Sequence, residues 1–530
     1  MKKHIIILLL LTLSALWPFF KKGFFESHDG EWMVIRFSAF HQTLASGQFP
    51  VRFVDRLNNN YGYPVTNFLY PLPFYLAEVP KILGFNFTDS IKIIFASSTI
   101  ISVVAMFWAL QLVFARNAAL AGAITYLFIP YRFVDLYVRG SIGENAAFAV
   151  APLILGSIYK IQKGQFKFLP LLALFTAFLI LSHNVIAILF IPVLFLIAMV
   201  VIKKQRLIVS GYFLLGILVS SFFLIPAIWD IQYVKLSQIK VSEISNHLVN
   251  LSQLIVPSWG YGPNPAIPGG MSVQVGVVSS FIFLAACLLR FLGEIKDRVF
   301  ELSILIFLIV LFLMTQAALP FWQVVPFVDV IQFPWRLLAL IVFSSSLLSA
   351  YLVNYAKNKI LVATLIIVAV VTSTIIYTKP RSFVERGDGF YSTNEDSTTV
   401  RDEYLPLWVK EKPQQRDSKK LYVFNGQAEI VSSQIKSANY RATVNSQNDS
   451  TIRVNTIYFP GWQVKVNGQK VDIDHSNKFG LIDFKLPRGI HEVIISYTRM
   501  PVHLASELIS LTSILLTGVL LYRLWQKRNS

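Results

Sequence analysis

Residues 24–37 read FFESHDGEWMVIRF, and the reading of the whole chain turns on them. The stretch follows directly on an apolar N-terminal segment and places Glu26, His28, Asp29 and Glu31 within six residues. Acidic residues are scarce, 29 against 47 Lys and Arg, so a cluster of them at the end of an apolar segment calls for a reason. Carboxylates at such a boundary serve as general bases, or bind a divalent cation together with a phosphate. They are also accounted for as solvated interface residues.

The segment before it, MKKHIIILLLLTLSALWPFFKK, has the basic start and apolar run of a signal peptide. Trp17, Phe19 and Phe20 stand where a cleavage site needs small residues, which points to a first helix that stays in place. Further apolar runs fall near 90–114, 117–130, 144–160, 167–182, 184–202, 206–228, 276–292, 299–318, 334–355, 359–377 and 502–524. The chain has 530 residues, 55% hydrophobic and 14% charged, more apolar surface than a soluble fold of this length buries. The class is therefore an α-helical polytopic membrane protein. A formal net charge of +18 reads as basic cytoplasmic loops meeting anionic lipid, and not as a nucleic-acid surface. Cys287 is the one cysteine, so no intramolecular disulfide or Cys-rich metal site is expected.

Segment 64–84, PVTNFLYPLPFYLAEVPKILG, carries Pro64, Pro71, Pro73 and Pro80, which argues against a straight spanning helix. With it non-spanning and Lys2 and Lys3 cytoplasmic, the basic clusters all fall on one side: Lys160/Lys163/Lys167, Lys203/Lys204/Arg206, Arg290/Lys296/Arg298, Lys357/Lys359 and Arg523/Lys527/Arg528. The expectation is about twelve spans in a bacterial plasma membrane, with both termini cytoplasmic. A transmembrane domain over 1–377 then has outside segments at 21–89, 131–143 and 229–275. A charged extracytoplasmic connector follows at 378–419. Residues 420–498 alternate as a small antiparallel β-sandwich, with Asn467-Gly468 and Pro487-Arg488-Gly489 as turns, before the last span at 502–524.

Chemistry is expected on the outer face. The first loop continues with Arg52, Asp55, Arg56 and Asn58 to Asn60 among aromatics, Pro and Gly, and ordered loops of this length are usually functional. Its aromatics suit a sugar-like ligand or an interface belt equally. In YRFVDLYVRGSIGENAAF, residues 131–148, Arg132 and Arg139 either grip a phosphate or pair with Asp135 and Glu144. LSHNVIAI sets His183 and Asn184 between apolar runs, where a hydrogen-bonded structural histidine is the commoner outcome. FVDVIQFPWRLLAL, residues 327–340, puts Gln332, Trp335 and Arg336 at a helix entry. No HExxH or CxxC spacing is present. A carboxylate cluster and arginine-bearing segments converging on one membrane face fit an anionic lipid substrate.

The order of ESHDG, GQFPVRF, YGYP, NFLYPLPFYL, YRFVDLYVRGSIGE, LSHN, IQFPWR and DEYLPLW resembles bacterial membrane proteins of the 6-pyruvoyl-tetrahydropterin-synthase-related family. YFPGWQVKVNGQKV and LPRGIHEVIISY resemble the terminal β-domain of YfhO-like membrane proteins. Both groups resemble GT-C-type glycosyltransferases, kin of protein mannosyltransferases and aminoarabinose transferases. The resemblance implies a catalytic acid in the first outside loop, and Asp29 is the matching position, with Glu26 and Glu31 as helpers. It implies a polyprenyl-phosphate-linked sugar as donor, drawn from among the membrane lipids, and Arg132, Arg139 and Arg336 as candidate phosphate ligands. Glu144, His183 and Gln332 complete the substrate-binding set. The acceptor would be an envelope glycan, lipid or protein. Asp29 sits in a D-x-E and not a strict D-x-D or D-E pair, so a divalent cation at Asp29, Mg²⁺ or Mn²⁺, stays open. The alternative is a non-enzymatic lipid-linked glycan flippase or an envelope-assembly scaffold. A transporter should carry ionisable residues in mid-membrane, and these spans carry very few.

Overall fold

The computed structural model describes residues 2–324 and 330–526; residues 327–329 of the quoted helix entry, with Lys527 and Arg528 of the last basic cluster, lie outside the described residues. Apolar helices form a bundle that carries a long first loop and a C-terminal β-sandwich. Among the described residues six helices are long and apolar enough to cross a bilayer, or eight if two bent pairs count once each. Those pairs are Arg116–Leu127 with Pro130–Arg139 and Arg206–Val219 with Ser221–Tyr233. The other expected spans are α1 (Lys2–Ala15) and the helices Phe168–Ser182, Val277–Phe291 and Arg298–Leu313, of 14 to 16 residues. At about 1.5 Å per residue these are shorter than a hydrocarbon core of about 30 Å.

Burial sorts the helices. The apolar window of Ile142–Gln162 is 94% buried, at the centre of the bundle, whereas those of Lys359–Tyr377 and Pro501–Leu524 are only 22% buried. Apolar faces of that length left uncovered by protein are stable against lipid and not against water. The proline-bearing segment breaks into short helices at Val65–Phe68 and Leu72–Ile82, the second with Pro73 in its first turn, where the missing N–H costs nothing.

Directly before Asp29, β1 (Phe24–Phe25) pairs antiparallel with β2 (Phe383–Val384), so the 378–419 segment is stitched to the start of the first loop. The sandwich follows: β3 (Leu421–Asn425), β4 (Ala428–Lys436), β5 (Asn439–Ser446), β6 (Ser450–Ile457), β7 (Trp462–Val466), β8 (Gln469–Val471), β9 (Leu481–Leu486) and β10 (Gly489–Tyr497). One sheet has the order β4-β5-β10-β7-β8 and the other β3-β6-β9. Alternate residues such as Tyr440, Val444, Ile452, Ile482 and Val493 point into the core between them. Asn467 and Gly468, at φ 51° and 85°, make the two-residue turn from β7 to β8, with the left-handed backbone such hairpins need.

This core does not stop at the sandwich. Phe53 and Phe68 of the first loop belong to the same apolar cluster, and the Phe53 ring meets Trp462 edge-on at 5.3 Å. The sandwich is thereby docked on the first loop, and the connector is pinned between them.

Candidate functional site

The acidic stretch is held by backbone. The N–H groups of His28 and Asp29 donate to the carbonyls of Val138 and Arg139 at 2.9 and 2.8 Å. So close an approach needs Gly140, at φ 66°, where a Cβ would stand 2.6 Å from Ser27 Oγ and 2.8 Å from Gly30 Cα. Helix α2 (Gly30–Ala45) begins here, and Ser27 Oγ accepts the Gly30 N–H at 3.2 Å. The Asp29 side chain caps nothing, and it has no hydrogen bond or ion pair among the described residues. His28, beside it, donates Nε2 to the Tyr261 carbonyl at 2.8 Å, and burial lowers its pKa.

The arginines are built from the bundle side. The chain winds as a π-helical turn over Val134–Arg139, which brings Asp135 and Arg139 within 2.9 Å of each other. Glu144, in the first turn of Ile142–Gln162, is fully buried. Its Oε1 lies 2.7 Å from Arg139 Nη1 and 3.3 Å from Arg336 Nε, and its Oε2 accepts from the Tyr131 hydroxyl at 2.9 Å. Arg139 also stacks over Trp335 at 4.2 Å. Arg336 donates Nη1 to the Ile331 carbonyl at 3.0 Å and to Gln332 Oε1 at 2.9 Å; Gln332 itself is left-handed, at φ 62°. Among the described residues the Nη2 groups of both arginines make no hydrogen bond to protein. His183 stacks on Tyr70 at 4.7 Å, and its Nδ1 accepts the Ile186 N–H at 3.3 Å. Its proton therefore sits on Nε2, 3.8 Å from Glu144 Oε1.

These elements enclose a cavity of about 160 Å³. Asp29 and Arg36 line it from α2, and Arg139, His183, Gln332 and Arg336 from the bundle. The third wall is the connector, through Thr398, Glu403 and Tyr404. Arg36 donates to the Thr398 hydroxyl at 3.0 Å and to its carbonyl, and no carboxylate pairs with it among the described residues. Glu403 is 6% exposed; its Oε2 accepts the Arg401 N–H at 2.9 Å and its Oε1 has no protein donor among the described residues. The Tyr404 ring stacks on Phe68 at 5.3 Å, and burial pushes its hydroxyl up to about 12, with the charges of Glu403, Arg36, Arg336 and Asp29 acting on it as well.

Other residues singled out from the sequence stand elsewhere. Glu26 is exposed and bound to Arg381 at 3.2 Å and Ser382 at 2.7 Å. Glu31 pairs with Arg386 and the Tyr391 hydroxyl, each at 3.1 Å. Arg132 is fully buried in the bundle, donating to Ser102 at 3.2 Å and Asn145 at 3.3 Å and stacking over Phe148 at 4.0 Å. None of the three lines the cavity. Among the described residues no three His, Cys, Asp or Glu side chains converge on a metal position. Three guanidinium groups, of Arg36, Arg139 and Arg336, line the cavity beside its two carboxylates, Asp29 and Glu403, a poor setting for Mg²⁺ or Mn²⁺.

Arg36, Glu403 and Tyr404 were not singled out from the sequence. Arg36 had a signal, since it falls seven residues after Asp29, two helical turns along one face. Glu403 and Tyr404 belong to DEYLPLW, where only the acid–aromatic juxtaposition marks them.

Residues 66–380 match the 6-pyruvoyl-tetrahydropterin synthase related domain, described as a membrane protein, and residues 415–509 match the bacterial membrane protein YfhO. An uncharacterized protein of Lactococcus lactis subsp. cremoris (strain MG1363) is 24% identical over 242 residues, 43% of this chain and 39% of its own length. This chain thus spans about two fifths of that relative. Among solved structures, the arabinofuranosyltransferase AftD from Mycobacteria aligns at 14% identity and TM-score 0.47, over 73% of this chain and 28% of that one. The Archaeoglobus fulgidus oligosaccharyltransferase in its apo form aligns at 10% identity and TM-score 0.42, over 75% and 57%. With well over half of its residues covered by that first match, the chain belongs to the 6-pyruvoyl-tetrahydropterin synthase related family of membrane proteins.

Proposed function

We propose that this protein is a GT-C-type membrane glycosyltransferase that moves a sugar from a polyprenyl-phosphate donor to a cell-envelope acceptor. The observation that carries this reading is one cavity lined both by Asp29, a carboxylate with no partner among the described residues, and by Arg139 and Arg336, whose Nη2 groups make no hydrogen bond to protein among those residues. A lipid-linked sugar phosphate needs that pair of features: an anion grip for the leaving phosphate and a base for the attacking hydroxyl.

In this mechanism Asp29 takes the proton of an acceptor hydroxyl as its oxygen attacks the anomeric carbon from the face opposite the phosphate. The new carbon–oxygen bond forms as the anomeric carbon–phosphate oxygen bond breaks, and the electron pair leaves with the phosphate. Arg139 and Arg336 stabilise the charge growing there, their forks held in place by Glu144. Arg36 adds a third positive charge from α2. His183, hydrogen-bonded at Nδ1, lines the same cavity. Inversion at the anomeric carbon follows from the single displacement.

The same reading includes the topology expected from the basic clusters: about twelve spans, both termini cytoplasmic, and the cavity and β-sandwich on the outer face of a bacterial plasma membrane.

Purified protein in nanodiscs, given radiolabelled polyprenyl-phosphate sugars and envelope acceptors, tests this. Asp29→Asn should cut transfer by about 10²-fold or more with the fold intact. Turnover retained in that variant removes Asp29 from the central role, and no turnover with any donor moves the reading to a flippase or scaffold. An EDTA arm decides metal dependence.

A further inference from the structure

The two long walls of the cavity differ in chemistry. The bundle wall is cationic, with Arg139 and Arg336 fixed by Glu144. The connector wall offers Glu403, 6% exposed and with no protein donor to its Oε1 among the described residues, and Tyr404 stacked on Phe68 at 5.3 Å with an interplanar angle of 10°. The Tyr404 hydroxyl makes no hydrogen bond to protein among the described residues. An acceptor group and a donor group, on consecutive residues, thus line one wall together with an aromatic pair.

What would such a wall take? An anion is repelled by Glu403 and drawn to the arginines opposite. A cation is repelled by Arg36 and Arg336, both of which bear on Tyr404. A neutral ring with hydroxyl groups matches all of it: adjacent hydroxyls donate to Glu403 and accept from Tyr404, while an apolar ring face lies on the aromatics. Asp29 lines the same cavity.

We propose that the connector wall of Glu403, Tyr404 and Phe68 is the acceptor subsite, that it takes a neutral sugar unit, and that Glu403 is its specificity-determining residue. The proposal rests on the transferase reading and deepens it, by assigning opposite walls of one cavity to donor and acceptor. The segment bearing Glu403 continues into the sandwich, where Trp408 Nε1 donates to the Tyr458 carbonyl at 3.0 Å.

The test uses the full chain in nanodiscs with a panel of neutral hexose oligosaccharides as acceptors. Glu403→Gln should raise the acceptor KM about tenfold or more, the loss expected for a hydrogen bond to a charged group, while the donor KM moves less than twofold. Glu403→Asp should recover part of the loss, and Tyr404→Phe should act in the same direction as Glu403→Gln. An unchanged acceptor KM, or donor and acceptor KM rising together, overturns the proposal and leaves the transferase reading standing. Should wild type turn over no donor, that reading fails, and binding of the same oligosaccharides, fluorescently labelled, is measured directly. Binding weakened tenfold by Glu403→Gln then upholds the subsite. No binding by wild type, or stronger binding of a cationic peptide or of lipid alone, overturns it.

Discussion

Glu144 and Arg139 lie 2.7 Å apart below the cavity, with side chains 0% and 4% exposed. The same carboxylate oxygen stands 3.3 Å from Arg336, on a segment almost two hundred residues away in the chain. One buried acid therefore sets the spacing of two guanidinium groups that line the cavity, and the Nη2 of each makes no hydrogen bond to protein among the described residues. Asp29 approaches from the other side on a helix start whose cap is supplied by Ser27.

Removing that acid should be felt as instability first. Glu144→Gln leaves Arg139 with Asp135 alone and Arg336 with no acid partner among the described residues. Deleting one partner of a buried ion pair costs about 3–5 kcal/mol. Thermal unfolding in nanodiscs should show a clearly lowered midpoint, and surviving protein should bind donor more weakly. An unmoved midpoint would mean that Glu144 does not anchor the two arginines.

The arginines separate by partner. Arg36 lines the cavity without an acid, so Arg36→Gln should raise the donor KM about tenfold, the value of a charge-assisted contact. Arg132 lies outside the cavity among Tyr126, Phe148 and Asn145. Arg132→Met should shift the thermal midpoint and leave the donor KM within twofold. Steady-state kinetics on the two variants side by side checks the assignment.

A pH effect is expected where the first loop meets the sandwich. Lys420 Nζ donates to the Asn60 carbonyl at 2.5 Å, and burial pushes its pKa down from 10.5 to about 8, while burial pushes that of nearby Asp55 up. The folded value is the lower one, so between these pH values the unfolded chain holds more protons and folding is relieved of a cost as pH rises. Wild type should gain stability relative to Lys420→Met from about pH 8 to about pH 9.5, read from chemical denaturation of both. A difference that stays flat, or falls, would contradict a buried ammonium at this junction.

Much of the fold is legible because membrane helices and amphipathic strands write their periods plainly. The apolar runs coincide with the helices, and Asn467-Gly468 marks its hairpin. The cavity is legible where polar residues end apolar runs, as at Asp29, Arg139, His183 and Arg336, because those helix ends meet at one level. Arg132 stands at the same sequence boundary as Arg139, but it lies outside the cavity, against Ser102, Asn145 and Phe148. In sequence the connector is a charged link, and the wall it forms is hidden by chain distance. Thr398 reaches Arg36 across 362 residues, and β2 reaches β1 across a similar span. No local pattern encodes such a pairing.

Phe53 is fully buried, edge-on to Trp462 at 5.3 Å and 5.4 Å from Tyr497, so one ring of the first loop fills a place in the sandwich core. Phe53→Ala would leave a void there and cost about 3–5 kcal/mol, since neither rigid sheet can close on it. Because the connector lies between the two bodies, the loss should not stay within the sandwich. Hydrogen exchange should quicken in β7, in β10 and along residues 398–408 together, and the acceptor KM should rise with it. Faster exchange confined to β7 and β10, with unchanged kinetics, would show that the cavity wall holds its shape without the docked sandwich.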